Sequence, residues 1–238
     1  MTDSDEFQPP ITPTSGRPLL GMTILVVEDS LFACDALRLM CLHSGARIRR
    51  ADCLRSARRH LQVYRPSGVI IDLGLPDGAG EDLIAELGRA VPRVAVILGI
   101  SGDADGEERA IAAGADAYLA KPIAHVGEFQ ETILRLLPPE RQPNGPRPMR
   151  KDVVQPDPVA YRDDMSHAAE LLDEAADGPI LDYVAQFLFG VARAASDNQM
   201  ELAAAALAQT RARGGAAHAP VARIAGLLQE RIAGRAVI

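Results

Sequence analysis

Tryptophan is absent from this chain of 238 residues, and aromatic residues make up only 4% of it. Hydrophobic residues still reach 47%, so a core built from them must be aliphatic and rich in Ala. Cysteine is limited to Cys34, Cys41 and Cys53, an odd number without metal-ligand spacing. That argues against a disulfide framework and favours reduced, structural thiols in a cytoplasmic protein. No apolar run approaches a membrane span, Val94 to Ile100 being among the longest, so membrane insertion is not expected. The acidic start, Met1 to Glu6, has no apolar region, and no signal peptide is expected there. An excess of basic charge is also missing. The net charge is −7, divided as −2 for residues 1–20, −3 for 21–138, +1 for 139–158 and −3 for 159–238. No segment is a basic module, which argues against DNA as a partner.

What is present falls into four parts. Residues 1–20 are polar, carry Pro9, Pro10, Pro13 and Pro18, and predict a disordered tail. From 21 to 138 apolar strand patterns alternate with helical ones five times. Helices are predicted over about 31–43 (capped by Ser30), 52–64 (capped by Asp52), 81–90, 103–113 and 125–137. Such alternation means a doubly wound α/β fold, a five-stranded parallel sheet with helices on both faces. Residues 139–158 are rich in Pro and predict a semi-rigid linker. Residues 159–238 predict a smaller all-α domain of four helices joined by short turns, with Pro179 opening the second and Ser196 and Gln199 forming a capping box for the third.

The chemistry gathers at the strand ends. The run Val69–Ile70–Ile71 ends in Asp72, followed by Leu-Gly-Leu-Pro-Asp-Gly. The first strand ends in Glu28–Asp29, the fourth in Ser101 and the fifth at Lys121–Pro122. In a doubly wound sheet these ends converge on one edge. Three crowded carboxylates repel one another and call for a cation, and all-oxygen ligands suit Mg²⁺. A hydroxyl and an ammonium beside that cation complete a cradle for a phosphoryl group. Arg occupies 23 of the 25 basic positions, so Lys at 121 is notable; a compact ammonium suits that task better than a planar guanidinium.

Glu28–Asp29, Asp72 in its Gly/Pro-rich loop, Ser101 and Lys121–Pro122 together resemble the receiver domain of bacterial two-component response regulators, a flavodoxin-like fold, over residues 21–138. The resemblance implies that Asp72 accepts a phosphoryl group from the phosphohistidine of a histidine kinase or phosphotransfer protein. It implies Mg²⁺ held by Asp29, Asp72 and the Gly74 carbonyl, with Glu28 acting through water. Ser101 and Lys121 would hold the phosphoryl oxygens, the Lys121–Pro122 bond would be cis, and Ser101 and Tyr118 would act as switch residues. Beyond Mg²⁺-dependent self-phosphorylation and autodephosphorylation, no enzyme activity is implied. Gly102, Asp105 and Gly106 are poor helix formers, so a stunted fourth helix is expected.

The helical domain is unfamiliar. The reading preferred here is a response regulator whose C-terminal domain changes its protein contacts, including a possible homodimer, with Phe189 lying off the apolar stripe as a candidate contact. The alternatives are a DNA-binding response regulator and a phosphorelay protein using His167, which the helical pattern places with Asp163 and Asp164 on an outer face. A haloacid dehalogenase-like phosphatase is excluded, because Gly74 stands where that family has a second Asp. The seven Arg between Arg47 and Arg65 read as a solvated face.

Overall fold

The computed structural model describes residues 12–145, 151–174 and 178–234. Five strands, β1 (Thr23–Val27), β2 (Arg47–Ala51), β3 (Gly68–Asp72), β4 (Val96–Ser101) and β5 (Ala117–Ala120), form one parallel sheet in the order β2-β1-β3-β4-β5. The strand sequences explain the order. Every residue of β3 and β4 is buried, as continuous apolar runs covered on both faces must be, whereas β2 exposes Arg47, Arg49 and Arg50 and lies at an edge.

Helices α1 (Leu31–Ser44) and α5 (Val126–Leu136) cover one face, where Ile24, Val26, Leu37, Met40 and Phe129 are buried. Helices α2 (Leu54–Val63), α3 (Gly80–Arg89) and α4 (Gly106–Ala113) cover the other, over Leu25, Val27, Leu83 and Ile84. Among the described residues, Phe129 and a partly buried Tyr118 are the aromatic members of these two cores. No helix among the described residues is long and apolar enough to cross a membrane.

Helices α6 (Pro158–Glu174), α7 (Pro179–Ala194), α8 (Asn198–Ala212) and α9 (His218–Ala233) form the C-terminal all-helical part. Its core holds Met165, Leu188, Met200, Leu207, Ile224 and Leu228. Phe32 of α1 belongs to this core too, edge-on to Tyr161 with ring centroids 5.8 Å apart. The two parts therefore share packed surface, along α1.

Several local expectations shift. Leu19 is fully buried and its amide bonds the Ser44 carbonyl, so packing begins inside the stretch predicted as a tail; residues 1–11 lie outside the described residues. In the Pro-rich stretch, Val154 is buried and bonds the Ala124 carbonyl, while 146–150 lie outside the described residues. Asp52 does not cap α2. Instead Asp77, from the loop after β3, accepts from the Leu54 and Arg55 amides at 2.8 and 2.9 Å. The cap of α8 is Asp197, which accepts from the Met200 amide at 3.1 Å, while Ser196 takes a left-handed φ of 59°. The capping-box residue is thus one position too early.

The poor helix former at the start of the short α4 has a packing cause. It begins at Gly106, where a Cβ would lie 2.6 Å from the Tyr118 hydroxyl and 2.9 Å from Ser101 Cβ, so only glycine fits there. The residue that weakens the helix makes room for the tyrosine.

Candidate functional site

The carboxyl ends of β1, β3, β4 and β5 meet at one edge, where Glu28, Asp29, Asp72, Gly74, Ser101 and Lys121 line a single cavity of about 90 Å³. β1 delivers Glu28 and Asp29 as it runs into α1, whose start is fixed by Ser30: its Oγ accepts from the Ala33 amide at 3.0 Å. The Ser30 amide in turn donates to Glu28 Oε1 at 3.2 Å and Asp29 Oδ1 at 3.0 Å. Asp72 is the last residue of β3 and Ser101 the last of β4. Lys121 follows β5, and its peptide bond to Pro122 is cis.

Charge dominates this edge. Lys121 Nζ lies 2.7 Å from Glu28 Oε2 and 3.1 Å from Asp72 Oδ2. One oxygen from each of Glu28, Asp29 and Asp72 falls within 4.8 Å of the others. Burial, then neighbouring carboxylate charge, push these acids upward against the pull of Lys121: Asp72 and Glu28 each to about 7, Asp29 to about 6. Burial would lower Lys121, but the charges of Asp72 and Glu28 outweigh it and hold the ammonium protonated. Three carboxylates against one ammonium leave the edge short of positive charge. Its donors are hard oxygens in a compact group, which fits a small divalent cation.

Tyr118 stands behind this cavity and does not line it. Its hydroxyl donates to the Ser101 carbonyl at 2.7 Å. His167 is exposed on α6 and borders a neighbouring groove with Asp29, Asp77 and Tyr183. Phe189 is half-buried and lines the strand-end cavity itself, so it faces the α/β part of the same chain.

The structure brings in residues that the sequence pattern missed, all from the helical part. Tyr183 of α7 donates its hydroxyl to Asp29 Oδ2. Gln186, one turn on, lies over Gly74, where a Cβ would come within 2.6 Å of its Nε2, and it bonds Asp103 at 3.4 Å. Arg193 donates to the Gly102 carbonyl at 3.0 Å. Asp164 of α6, expected on an outer face, is buried at the start of α1. It accepts from Ser30 Oγ at 2.7 Å, the Leu31 amide at 2.7 Å and the Phe32 amide at 3.0 Å. A carboxylate suits that place, where the first amides of a helix point outward without partners.

Residues 24–133 match the family described as the response regulator receiver domain. The KDP operon transcriptional regulatory protein KdpE of Escherichia coli (strain K12) is 32% identical over 130 residues, covering 54% of this chain and 56% of that protein. The virulence transcriptional regulatory protein PhoP of Salmonella typhimurium (strain 14028s) is 33% identical over 119 residues, covering 49% and 52%. The chain thus spans about half the length of the curated relatives it matches. Among solved structures, a putative response regulator from Chloroflexus aurantiacus J-10-fl is 26% identical with a TM-score of 0.46, covering 48% of this chain and 96% of that one. Residues 24–133 are a response regulator receiver domain of two-component signal transduction, and the chain runs on from it into a helical C-terminal region.

Proposed function

We propose that this chain is a two-component response regulator that takes a phosphoryl group onto Asp72 from the phosphohistidine of a histidine kinase, and that its helical part carries the output through protein contacts. The observation that carries this reading is the meeting of Asp72, Lys121 and two further carboxylates in one buried cluster at the strand ends. In the transfer, an Asp72 carboxylate oxygen attacks phosphorus, the phosphorus–nitrogen bond breaks, and the imidazole leaves with the bond's electron pair. Bound Mg²⁺, held by Asp29, Asp72 and the Gly74 carbonyl and by Glu28 through water, would neutralise the phosphoryl oxygens and keep Asp72 ionised. Lys121 adds a second positive charge beside Asp72. Ser101 closes the cradle, and Tyr118, bonded to the Ser101 carbonyl, links a shift there to the face of α4.

The named relatives are transcriptional regulators, but they match only the receiver half. The helical part has a net charge of −3, which favours a protein partner over DNA. A cytoplasmic location fits such a signalling role. Incubation with Mg²⁺ and a small phosphodonor tests the reading by intact mass. The wild type gains one phosphoryl group and Asp72→Ala gains none. An adduct that survives Asp72→Ala, or no adduct on the wild type, sinks it.

A further inference from the structure

Four contacts from the α6–α7 hairpin ring the acceptor edge. Asp164 holds the start of α1, Tyr183 holds Asp29, Gln186 reaches Asp103 and Arg193 holds the Gly102 carbonyl. Between them α7 roofs the acceptor cavity with Phe187 and Phe189. α7 thus covers part of the cavity into which a phosphodonor has to reach. Asp29 is the decisive residue. Its Oδ1 accepts from the Ser30 amide and its Oδ2 from the Tyr183 hydroxyl, so both oxygens are engaged. A cation binding Oδ2 withdraws charge from the oxygen to which the Tyr183 hydroxyl donates, so the two compete for it.

We infer that the α6–α7 hairpin is an intramolecular lid, and that lid docking and loading of the acceptor site oppose one another. The inference rests on the Mg²⁺-dependent acceptor reading of Asp72 given above. It adds that Tyr183 competes for a carboxylate oxygen the loaded site needs. By linkage, whatever binds the open site must release the hairpin, and whatever draws the hairpin away must strengthen loading by the same factor. The hairpin is then both the block and the signal, because loading frees the α7 face that had covered the site.

The full chain tests this with Mg²⁺ alone, followed by calorimetry, and with Mg²⁺ plus a small phosphodonor, followed by intact mass. Tyr183→Phe keeps the ring and loses the donor. It should bind Mg²⁺ about tenfold more tightly than the wild type. Arg193→Ala lies away from every proposed cation ligand. It should also tighten Mg²⁺ and speed phosphorylation of Asp72, which a purely local effect at Asp29 would not explain. The Leu31 and Phe32 amides are bonded to Asp164, so their hydrogen exchange reports undocking; it should rise on loading of the wild type. Equal Mg²⁺ affinity in all three proteins, with those amides still protected in phosphorylated protein, overturns the lid and leaves the acceptor reading standing. Absence of both Mg²⁺ binding and adduct in all three overturns both.

Discussion

Two carboxylate sites of this molecule are driven in opposite directions. At the acceptor edge, burial and crowding raise Asp72 and Glu28 to about 7 and Asp29 to about 6. At the start of α8, Asp197 is lowered to about 2, chiefly by its hydrogen bonds from Arg231 at 2.6 and 3.2 Å and further by the Tyr161 hydroxyl at 2.7 Å. Both lie at the end of an element, and both are largely sheltered from water. Asp197 has every oxygen partnered by a donor from its own domain and fastens α6, α8 and α9 together. The acceptor carboxylates share one ammonium. That shortage is a destabilised arrangement held in place by the fold around it, and it leaves affinity free for the cation and phosphoryl group of the function proposed above.

The largest effect is expected where the partners are complete. Asp197→Ala removes the cap of α8, both Arg231 bonds and the acceptor for the Tyr161 hydroxyl. It should cost about 3 kcal/mol of unfolding free energy, measured by denaturant titration. At the acceptor edge a comparable removal should act in the other sense. The folded Asp72 value of about 7 lies above its ordinary 3.8. The native state therefore holds the proton more tightly than the unfolded chain, and this contribution to stability is complete below about 3.8 and is lost as pH rises to about 7. Asp197 has the reverse sign, with stability present above 3.8 and lost as pH falls toward about 2. In Mg²⁺-free buffer at alkaline pH, Asp72→Asn should stabilise the protein by about 1–2 kcal/mol, since Lys121 keeps Glu28 as its partner while one repelling charge goes. The gain should disappear at acid pH and shrink in Mg²⁺. A loss of stability at alkaline pH would show that Lys121–Asp72 attraction outweighs carboxylate crowding.

The same contrast explains what was legible in the sequence. A strand buried on both faces is an apolar run, so the residue that ends it is the first that is free to be polar; Asp72, Ser101 and the Glu28–Asp29 pair stand out for that reason. The partners of these residues lie one per strand, and parallel topology brings such ends to one edge without any contact having to be foreseen. Asp164 offers no such signal. It sits among other acids on α6, and its partners Ser30, Leu31 and Phe32 are more than a hundred residues away in the chain. Tyr183 reads as one more residue beside an apolar stripe, until α7 is laid across Asp29. The caps show the same limit at short range. Ser196 fits the local box pattern, yet Asp197 takes the role because Arg231 and Tyr161 reach it from other helices. Likewise Asp77 caps α2 from a loop 23 positions on. Local rules name the residue types a site needs, while tertiary approach chooses among neighbours.

A third carboxylate separates direction of shift from strength. Asp182 of α7 is also lowered, chiefly by hydrogen bonds from Arg211, which grips it with Nε at 2.8 Å and Nη2 at 2.9 Å. In contact geometry this pair matches Asp197–Arg231. It differs in exposure: the Asp182 side chain is 57% exposed against 12% for Asp197. Water competes for the exposed carboxylate in both states and salt screens it, so little of its attraction to Arg211 survives as stability. Asp182→Ala should therefore cost about 0.5 kcal/mol or less, and the cost should fade in high salt, while that of Asp197→Ala persists. Two matched denaturant series, in low and high salt, give the comparison. If Asp182→Ala cost as much as Asp197→Ala, burial would not be what turns a lowered carboxylate into a fastener. The helical part would then owe its cohesion to its surface charges, and its grip on the acceptor edge would weaken with ionic strength.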